Sequence, residues 1–592
     1  MNEQVVLITG ASRGFGAEAA RRIAARGNQV VATMRSPERD GPPVVAGLEE
    51  RISAVRLDVT DPEGVERVVG ETLARHGRID VLINNAGYGL YGPIEEVSEE
   101  QVWRQVDTNV LGQWRLAKAV LPSMRAQGAG KIVNVSSLAG RVPGAWLGMY
   151  AAVKHGVEGM SEALRFEVGH TGVQVCVLEP GMYVSDWQTG SLDVAAPQIE
   201  GRSAYQETVE AALANFRARA KTRPASGSIG VALADMVELE QPLPMRWPVG
   251  EDSTHLIESR LSTTEAGWEA LRRARTLRTW RRPGEQGGAE RDWGGESVVL
   301  ITGASRGFGA AAARECAARE GLVAATMRNP ERDGAAVRKG FEDRIEPFAL
   351  DVTDAESIAA AVEAVRQRFG RIDVLVNNAG YGLYGPLEDL SEEECRRQLD
   401  TNLLGQWRMQ QAVLPGMREQ GWGKIVNVSS LSGQVPRATR GMYAASKFAV
   451  EAMSEALADE VAPFGVQVTI LQPGQYRSDW QTSSLDVCAA VREGRSAYQP
   501  GIERKLEEFR AVAATRPGSD AVGMAIADAV QLQQRLPMRW PLGEDALRLI
   551  PARRTTPDDV WERNRRAEGW GFTMEDMAQG ATGRRSGRSP GT

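Results

Sequence analysis

The chain of 592 residues contains only four cysteines and four histidines. The cysteines, Cys176, Cys316, Cys395 and Cys488, show no C-x-x-C spacing, so we expect reduced, buried thiols and neither a disulfide nor a zinc framework. The histidines form no cluster with metal-ligand spacing, and we therefore expect no metal site. No apolar run approaches the roughly 18 residues that a membrane-spanning helix needs.

Acidic residues slightly outnumber basic ones. The formal net charge is -7 and the pI is about 5.6, which gives no basic footprint for nucleic acid or for an acidic membrane surface. Several arginines do cluster between Arg272 and Arg282; they could bind an anionic partner, but a solvated helix face is the simpler interpretation. The N-terminus lacks the basic start and long apolar core of a signal peptide. We expect a cytoplasmic protein that binds neither nucleic acid nor a membrane.

The sequence contains two tandem copies of one domain. Adding 293 to a residue number in the first half gives its counterpart in the second, as in Gly10 and Gly303, and the offset still holds at Trp268 and Trp561. Each copy is long enough to form its own hydrophobic core. A stretch rich in glycine and charge separates the copies, as expected for a linker. We predict a first domain at 1–280, a linker at 281–295, a second domain at 296–579 and a disordered tail at 580–592.

Short β-branched runs alternate with helical patterns in both halves. In the first half the runs cover residues 5–8, 30–33, 52–57, 81–83, 132–135 and 173–178. Such alternation predicts an α/β fold with a doubly wound parallel sheet in each domain.

A glycine-rich segment, residues 9–16, follows the first strand and opens a helix, and residues 302–309 repeat it. Glycines at such a turn let backbone N–H groups approach a pyrophosphate at the helix N-terminus. A tight strand-to-helix connection without a ligand is the alternative. The strand context and the double occurrence favour two tandem Rossmann-like dinucleotide-binding domains.

Further motifs recur in the same order in both halves. They are Asn84 to Gly87, Asn109, Ser137, Tyr150 with Lys154, and Pro180 and Gly181 with Ser185, and then Asn377 to Gly380, Asn402, Ser430, Tyr443 with Lys447, and Pro473 and Gly474 with Ser478. Together with the spacing T-G-x-x-x-G-x-G of the glycine turn, these motifs resemble the short-chain dehydrogenase/reductase family along both halves.

Tyr150 and Lys154 are four residues apart, so they share one face of a helix. A lysine cation beside a phenol favours the phenolate, and we expect it to lower the tyrosine pKa towards neutrality. The resemblance implies that the lysine also holds the nicotinamide ribose, the serine steadies the substrate oxygen and the asparagine holds a relay water. The implied catalytic residues are Asn109, Ser137, Tyr150 and Lys154, and Asn402, Ser430, Tyr443 and Lys447.

The residue after the second strand bears on the choice of cofactor. An acidic residue there would bind the ribose 2′-OH of NAD, whereas an arginine accommodates the 2′-phosphate of NADP. Arg35 and Arg328 occupy this position, although pairing with Glu38 and Glu331 is an alternative role for them. The resemblance implies one NADP(H) per domain, bound by Gly10, Ser12, Arg13, Gly14, Phe15, Gly16, Arg35, Asp58, Val59, Asn85, Ala86, Gly87, Pro180, Gly181 and Ser185, and by Gly303, Ser305, Arg306, Gly307, Phe308, Gly309, Arg328, Asp351, Val352, Asn378, Ala379, Gly380, Pro473, Gly474 and Ser478.

The two copies differ between the serine and the tyrosine, in a stretch that borders the substrate in the family. Gly144 and Leu147 of the first copy correspond to Arg437 and Arg440 of the second. One hypothesis is that the first pocket takes a more apolar carbonyl compound or alcohol and the second a more polar or anionic one, and drift at exposed loop positions is the alternative.

The resemblance implies a tandem oxidoreductase that transfers hydride between NADP(H) and a carbonyl compound or secondary alcohol. A two-site epimerase that oxidises and then re-reduces its substrate is one alternative, and a non-catalytic NADP-binding sensor or scaffold is another. Relatives pair through the helices that carry Y-x-x-x-K. We therefore expect the two domains to form a pseudo-dimer within one chain, with a further homodimer as an additional possibility.

Overall fold

The computed structural model describes residues 3–184, 191–279, 296–478 and 484–573. The predicted linker at 281–295, the predicted tail and Ser185 lie outside the described residues. The predicted domain boundaries therefore remain predictions.

Helices and strands alternate in the first domain. Its strands are β1 Val5–Ile8, β2 Gln29–Met34, β3 Ile52–Arg56, β4 Val81–Asn84, β5 Gly89–Tyr91, β6 Gly130–Val135, β7 Val173–Pro180, β8 Leu192–Val194 and β9 Arg246–Val249. Its α-helices are α1 Gly14–Ala25, α2 Pro37–Asp40, α3 Pro42–Val45, α4 Pro62–His76, α5 Glu99–Val106, α6 Gly112–Gln127, α7 Gly148–Val168, α8 Ala196–Ile199, α9 Gln206–Lys221, α10 Gly227–Glu238, α11 Glu251–Ser262 and α12 Glu265–Thr279.

The second domain repeats this order. Its strands are β10 Val298–Ile301, β11 Leu322–Met327, β12 Ile345–Ala349, β13 Val374–Asn377, β14 Gly382–Tyr384, β15 Gly423–Val428, β16 Val466–Pro473, β17 Leu485–Val487 and β18 Arg539–Leu542. Its α-helices are α13 Gly307–Ala318, α14 Pro330–Arg338, α15 Ala355–Phe369, α16 Glu392–Leu399, α17 Gly405–Gln420, α18 Gly441–Val461, α19 Ala489–Arg492, α20 Gln499–Ala514, α21 Asp520–Gln531, α22 Glu544–Thr555 and α23 Asp558–Ala567.

Each domain has a parallel sheet of seven described strands. The orders are β3-β2-β1-β4-β6-β7-β9 and β12-β11-β10-β13-β15-β16-β18. Strands such as β1 and β4 are buried along their whole length because helices cover both faces of the sheet. The predicted doubly wound fold is thus confirmed in both domains. The strand order reverses between β1 and β4, and their carboxyl ends border the crevice where such sheets bind ligands.

Some elements were not predicted from the sequence. Strand β9 contains Pro248 and is only half-buried, as suits the edge of a sheet, so it lacks the continuous apolar run of an inner strand. Strands β5 and β8 are short and pair only with each other. Helix α4 ends at Gly77, whose φ of 75° lies in the left-handed region that suits a C-terminal glycine cap.

Helices α7 and α18 form the centre of the contact between the domains. Gly156 of α7 lies against the backbone of Ala445. Further along, the ring of Phe448 from α18 covers Gly159, where a Cβ atom would come within 2.7 Å of the ring. The counterpart of Gly159 is Ala452. The contact is therefore close and, at this point, asymmetric.

Reciprocal hydrogen bonds extend this contact. The indole of Trp114 donates to the Leu387 carbonyl at 2.8 Å, and the indole of Trp407 donates to the Ile94 carbonyl at 2.9 Å. Trp114 and Trp407 are both buried where the two domains meet. The same pair of bonds in both directions gives the two domains an approximate two-fold relationship.

Two buried carboxyl groups also cross the interface. Glu460 accepts the backbone N–H groups of Ile94 and Trp146, each at 2.8 Å. Reciprocally, Glu167 accepts those of Leu387 and Thr439, also at 2.8 Å. Trp146 and Thr439 both have φ 68°, a left-handed conformation that costs free energy for residues other than glycine. Each glutamate thus fixes a strained residue of the opposite domain.

The last helix of each domain packs on the other domain. Trp268 of α12 donates its indole N–H to Glu455 at 3.0 Å, and Arg272 forms an ion pair with the same glutamate at 3.0 Å. Arg165 pairs across the interface with Glu562 of α23 at 2.8 Å. The solvated-face interpretation of the basic run is wrong for Arg272, which is 5% exposed, because its charge is matched by a carboxylate of the second domain.

No helix of the described part of the chain is long and apolar enough to cross a bilayer. All four cysteines are buried and carry free thiols. Within 3–184, 191–279, 296–478 and 484–573, no three His, Cys, Asp or Glu side chains are grouped as metal ligands.

Burial of Glu167 and Glu460 predicts a pH dependence of stability. Burial raises the pKa of each to about 8, from an ordinary 4.5. The folded state therefore holds protons that the unfolded state releases between pH 4.5 and about 8, and stability falls as pH rises through this window. The slope is about 1.4 kcal/mol per pH unit for each group.

We expect Glu167→Gln and Glu460→Gln to lower the thermal midpoint, because an amide NH₂ cannot accept a backbone N–H. We also expect both variants to show a smaller fall of stability between pH 5 and 8. Thermal melts across this range measure both effects. Glu207→Gln, on an exposed face of α9, is the control for loss of one carboxylate. An unchanged slope in both interface variants would contradict the assignment.

Candidate functional site

The glycine turn is fastened to the end of β4 by side-chain hydrogen bonds. The Thr9 hydroxyl accepts the backbone N–H groups of Asn85 and Ala86, both at 3.0 Å. The Asn85 amide donates in return to the carbonyls of Thr9 and Gly10 at 2.9 and 3.0 Å. Thr302 and Asn378 repeat the arrangement in the second domain. The sequence motifs around residues 9–16 and 84–87 thus build one rigid turn.

A cavity of about 630 Å³ opens beside this turn in the first domain. Its lining includes most of the predicted cofactor residues of the first domain and two of its predicted catalytic residues. Those that line it are Gly10, Ser12, Arg13, Gly14, Phe15, Arg35, Asp58, Val59, Asn85, Ala86, Gly87, Tyr150 and Lys154. Gly16 lies beneath the turn, against the Gly10 carbonyl. A cleft of this size over a glycine turn fits an extended dinucleotide.

The predicted catalytic residues lie at one end of this cavity. The side chain of Tyr150 hydrogen-bonds Ser137, whose hydroxyl also accepts the backbone N–H of Ala139 at 3.1 Å. The Lys154 ammonium lies 5.8 Å from the centre of the Tyr150 ring and donates to the Val135 carbonyl at 3.0 Å. The hydroxyl pair is thus fixed, and the lysine lies one helical turn away, facing the same cavity.

The expected lowering of the tyrosine pKa is wrong for this structure. Burial raises the pKa of Tyr150 to about 12, and the Ser137 hydrogen bond offsets only part of that rise. Burial also raises the pKa of Tyr443 and lowers the pKa of Lys154 and Lys447 to about 8. Removing both groups from water disfavours the charged form of each, and at these distances this effect exceeds the attraction between them.

Asn109 lies in a π-helical segment, Asp107–Leu111, that the sequence did not predict. Its amide NH₂ donates to the carbonyls of Tyr88 and Gln105, both at 3.2 Å. Its Oδ1 atom is buried without a partner among the described residues and points towards Gly87, beside the Lys154 ammonium. A widened helical turn is common at functional sites, and here it directs an acceptor towards the lysine.

Asn402 has a different environment in the second domain, although its π-helical segment, Asp400–Leu404, is the same. Its Oδ1 accepts the backbone N–H of Tyr381 at 3.1 Å, and its NH₂ contacts the Ser446 hydroxyl at 3.3 Å. Val153 replaces Ser446 in the first domain. The exchange of one side chain therefore changes how the asparagine is held.

Positive charge gathers at the opposite end of the first-domain cleft. Arg13, Arg35 and Arg39 line an adjoining cavity of about 360 Å³ together with two serines and Asp40. The pKa of Asp40 is lowered chiefly by Arg39 and to a lesser extent by Arg13 and Arg35.

Glu38 does not pair with Arg35; it pairs with Arg56 at 2.9 Å. In the first domain, the alternative that Arg35 pairs with Glu38 is therefore wrong.

Arg306 occupies the position in the second glycine turn that Arg13 occupies in the first. It donates to Ser484 at 3.2 Å, as Arg13 does to Ser191 at 2.9 Å.

The proline–glycine turn after β7 is supported by an aspartate that the sequence did not single out. Asp252 accepts the backbone N–H of Met182 at 3.0 Å, and a Cβ atom on Gly181 would overlap its carboxylate. Asp545 accepts the N–H of Gln475 in the same way at 2.9 Å. Because Asp252 and Asp545 begin a helix far along the chain, no local motif marks them.

A separate cavity of about 70 Å³ lies at the predicted catalytic residues of the second domain. The predicted residues that line it are Phe308, Ser430, Tyr443, Pro473, Gly474 and Ser478. Two predicted cofactor residues of this domain, Gly303 at φ 64° and Gly307 at φ 56°, keep the left-handed backbone of Gly10 and Gly14. Asp351 likewise accepts the N–H of Thr353 at 2.9 Å, as Asp58 does for Thr60 at 3.0 Å.

Comparisons with known proteins agree with this architecture. The family model described as short chain dehydrogenase matches residues 4–193 and 297–487. The chain belongs to the short chain dehydrogenase family and carries two copies of it in tandem. These copies account for the repeated fold and for the repeated arrangement of tyrosine, serine and lysine.

Individual relatives match one copy each. Oxidoreductase BOA17 of Botryotinia fuckeliana is 37% identical over 250 residues, which cover 42% of this chain and 90% of that protein. The uncharacterized oxidoreductase YusZ of Bacillus subtilis is 34% identical over 271 residues, or 45% of this chain and 96% of that protein.

One solved structure matches both copies. The N-domain of a bacterial malonyl-CoA reductase, solved with NADP, covers 91% of this chain and 98% of its own with a TM-score of 0.62. At 17% identity this likeness shows a shared fold across both domains.

Two glycines of the turn provide a test of its close packing. Gly10 and Gly14 both have positive φ, at 65° and 57°. A Cβ atom on Gly10 would lie 2.8 Å from the Cα of Ala86, whereas one on Gly14 would meet nothing within 4 Å. We expect Gly14→Ala to lower the free energy of unfolding by about 1–2 kcal/mol through backbone strain alone, and Gly10→Ala to lower it clearly more. If denaturant unfolding gave the same loss of free energy for both variants, the close packing of the turn against the residues after β4 would be contradicted.

Proposed function

We propose that each domain is an NADP-dependent oxidoreductase that interconverts a carbonyl compound and a secondary alcohol. The observation that supports this most directly is the continuous cavity that joins the Arg13 and Arg35 cluster, the glycine turn and the Tyr150 hydroxyl. The arginines would hold the 2′-phosphate, the turn the pyrophosphate, and Lys154 the nicotinamide ribose.

The bound cofactor would supply a hydride to the carbonyl carbon, which breaks the carbonyl π bond and leaves its electron pair on oxygen. Tyr150 would donate its proton to that oxygen, and the Ser137 hydroxyl would hold the oxygen in place. A tyrosine whose pKa is raised to about 12 is fully protonated at neutral pH. An alkoxide is more basic than a phenolate, so this proton transfer is favourable and suits the site to reduction.

Lys154 would orient the ribose and pass a proton to Tyr150 after turnover. With its pKa lowered to about 8, the ammonium group is close enough to neutrality to release a proton readily. The unpartnered Oδ1 of Asn109 would accept a hydrogen bond from the water that continues the relay.

We further propose that the intramolecular pair of domains is the functional unit. Its support is the set of reciprocal bonds made by Trp114 and Trp407 and by Glu167 and Glu460. Size measurements on the full chain at several concentrations would test whether a further dimer forms.

Tyrosine variants test the chemistry. We expect Tyr150→Phe and Tyr443→Phe each to lower kcat by about 10²–10⁴-fold for the substrates of its own domain, because general acid catalysis contributes this much. The readout is nicotinamide absorbance with a panel of ketones and aldehydes. Each variant is the control for the other domain, and NADPH binding should be retained in both. A double variant with undiminished turnover would contradict the role of both tyrosines.

Cofactor choice is tested at Arg35. We expect Arg35→Ala to weaken NADPH binding by about 10-fold or more, since a hydrogen bond between charged groups contributes about 1.5–3 kcal/mol, and to leave NADH binding nearly unchanged. The KM for each nucleotide in the Tyr443→Phe chain, in which only the first domain turns over, measures the difference. Arg56→Ala is the control, because it removes a neighbouring exposed arginine that does not line the cleft. Equal weakening of NADPH and NADH would show that Arg35 does not bind the 2′-phosphate.

A further inference from the structure

Two arginines line the small cavity at the catalytic residues of the second domain. Arg437 and Arg440 face the same cavity of about 70 Å³ as Ser430 and Tyr443. Arg440 immediately precedes α18 and lies three residues before Tyr443, so the two side chains share one face. Two guanidinium groups therefore lie within the space that a substrate of Tyr443 would enter.

Aromatic rings cover these guanidinium groups. The Arg437 guanidinium lies 4.0 Å from the centre of the Trp570 ring, and that of Arg440 lies 4.1 Å from the centre of the Phe509 ring. Such stacking holds a guanidinium plane in a fixed orientation and leaves its edge N–H groups available.

Among the described residues, no carboxylate hydrogen-bonds either guanidinium, and the Nε of Arg440 is buried without a hydrogen-bond partner. The nearest acidic groups that act on Arg437 are Asp545 and Glu568. Asp545 is already engaged by the backbone N–H groups of Gln475 and Ala546, and Glu568 pairs with Arg565.

This arrangement is costly without an anion. Burial, followed by repulsion from Arg440, lowers the pKa of Arg437 to about 9. Burial likewise lowers the pKa of Arg440. Two neighbouring cations that are largely withdrawn from water are destabilising unless an opposite charge joins them, and planar guanidinium groups suit the two oxygens of a carboxylate.

The first domain lacks this feature at the same positions. Gly144 and Leu147 replace the two arginines, and Leu147 packs with Trp146, Tyr205 and Phe464 in an apolar cluster. Met182 likewise stands where the second domain has Gln475, which lines its cavity. The difference in charge is therefore confined to one of two otherwise similar sites.

We propose that the second domain reduces a small carbonyl compound that carries a carboxylate, which Arg437 and Arg440 bind while Ser430 and Tyr443 hold the carbonyl oxygen. This inference rests on the proposed NADPH-dependent reduction. The first domain correspondingly acts on an uncharged carbonyl compound.

The test uses the full chain with Tyr150→Phe, so that only the second domain turns over. A short keto acid and its methyl ester are compared as substrates with NADPH. We expect the keto acid to have the higher kcat/KM, and Arg437→Met and Arg440→Met to lower that value by about 10- to 100-fold while the ester changes little. Arg437→Lys should restore part of the loss. The exposed Arg368→Met, far from the cavity, is the matched control.

Equal turnover of acid and ester in the Tyr150→Phe chain would overturn the proposal, as would a loss of the same size for both substrates in the arginine variants. Thermal melts of every variant identify any failure to fold, in which case the Arg437→Lys chain supplies the comparison.

A binding measurement separates this inference from the proposed function. Calorimetric titration of the full chain with succinate should give binding that the Arg437→Met/Arg440→Met chain loses, even where no NADPH is consumed. A parallel titration of both chains with inorganic phosphate distinguishes a carboxylate site from a phosphate site, because only binding that the Arg437→Met/Arg440→Met chain loses belongs to these arginines. Absence of succinate binding to the unmodified chain, or a stronger phosphate site that the double variant loses, would overturn the carboxylate assignment.

Discussion

Each candidate site depends on a carboxyl group from the other domain. Glu460 holds the backbone of Trp146, and Glu167 holds that of Thr439, at strained positions four residues before Tyr150 and Tyr443. Without that acceptor, a buried N–H would lose its partner and the left-handed conformation would lose its support. The entrance to each site is therefore built by both domains, and the contact between them is part of the site's construction.

The two sites combine a shared framework with different side chains in the stretch before each tyrosine. Glycine turns, tyrosines and lysines repeat with nearly identical contacts, because the sheet fixes where they meet. The stretch before each tyrosine is free to vary in side chain, since its backbone is held by the opposite domain. This explains how Leu147 and Arg440 can occupy one position without disturbing the tyrosine that follows.

Much of the fold and the site could be predicted from the sequence, because alternating apolar runs, glycine spacing and Y-x-x-x-K are local signals. The aspartates that support the proline–glycine turns and the glutamates that cross the interface could not, since their partners lie far along the chain. The tyrosine pKa was expected to fall, yet burial raises it. Sequence spacing shows which charges are neighbours, but it does not show how much water surrounds them.

The packing of Phe448 on Gly159 has a consequence for the ancestry of the chain. Two second domains paired with each other would place Phe448 against Ala452, whose methyl group occupies the space that Gly159 leaves open. The duplicated halves are thus unequal at this contact, because Phe448 has more open space beside Gly159 than it would have beside Ala452. Fusion into one polypeptide fixes their ratio at one to one, so synthesis delivers each half together with its complementary surface.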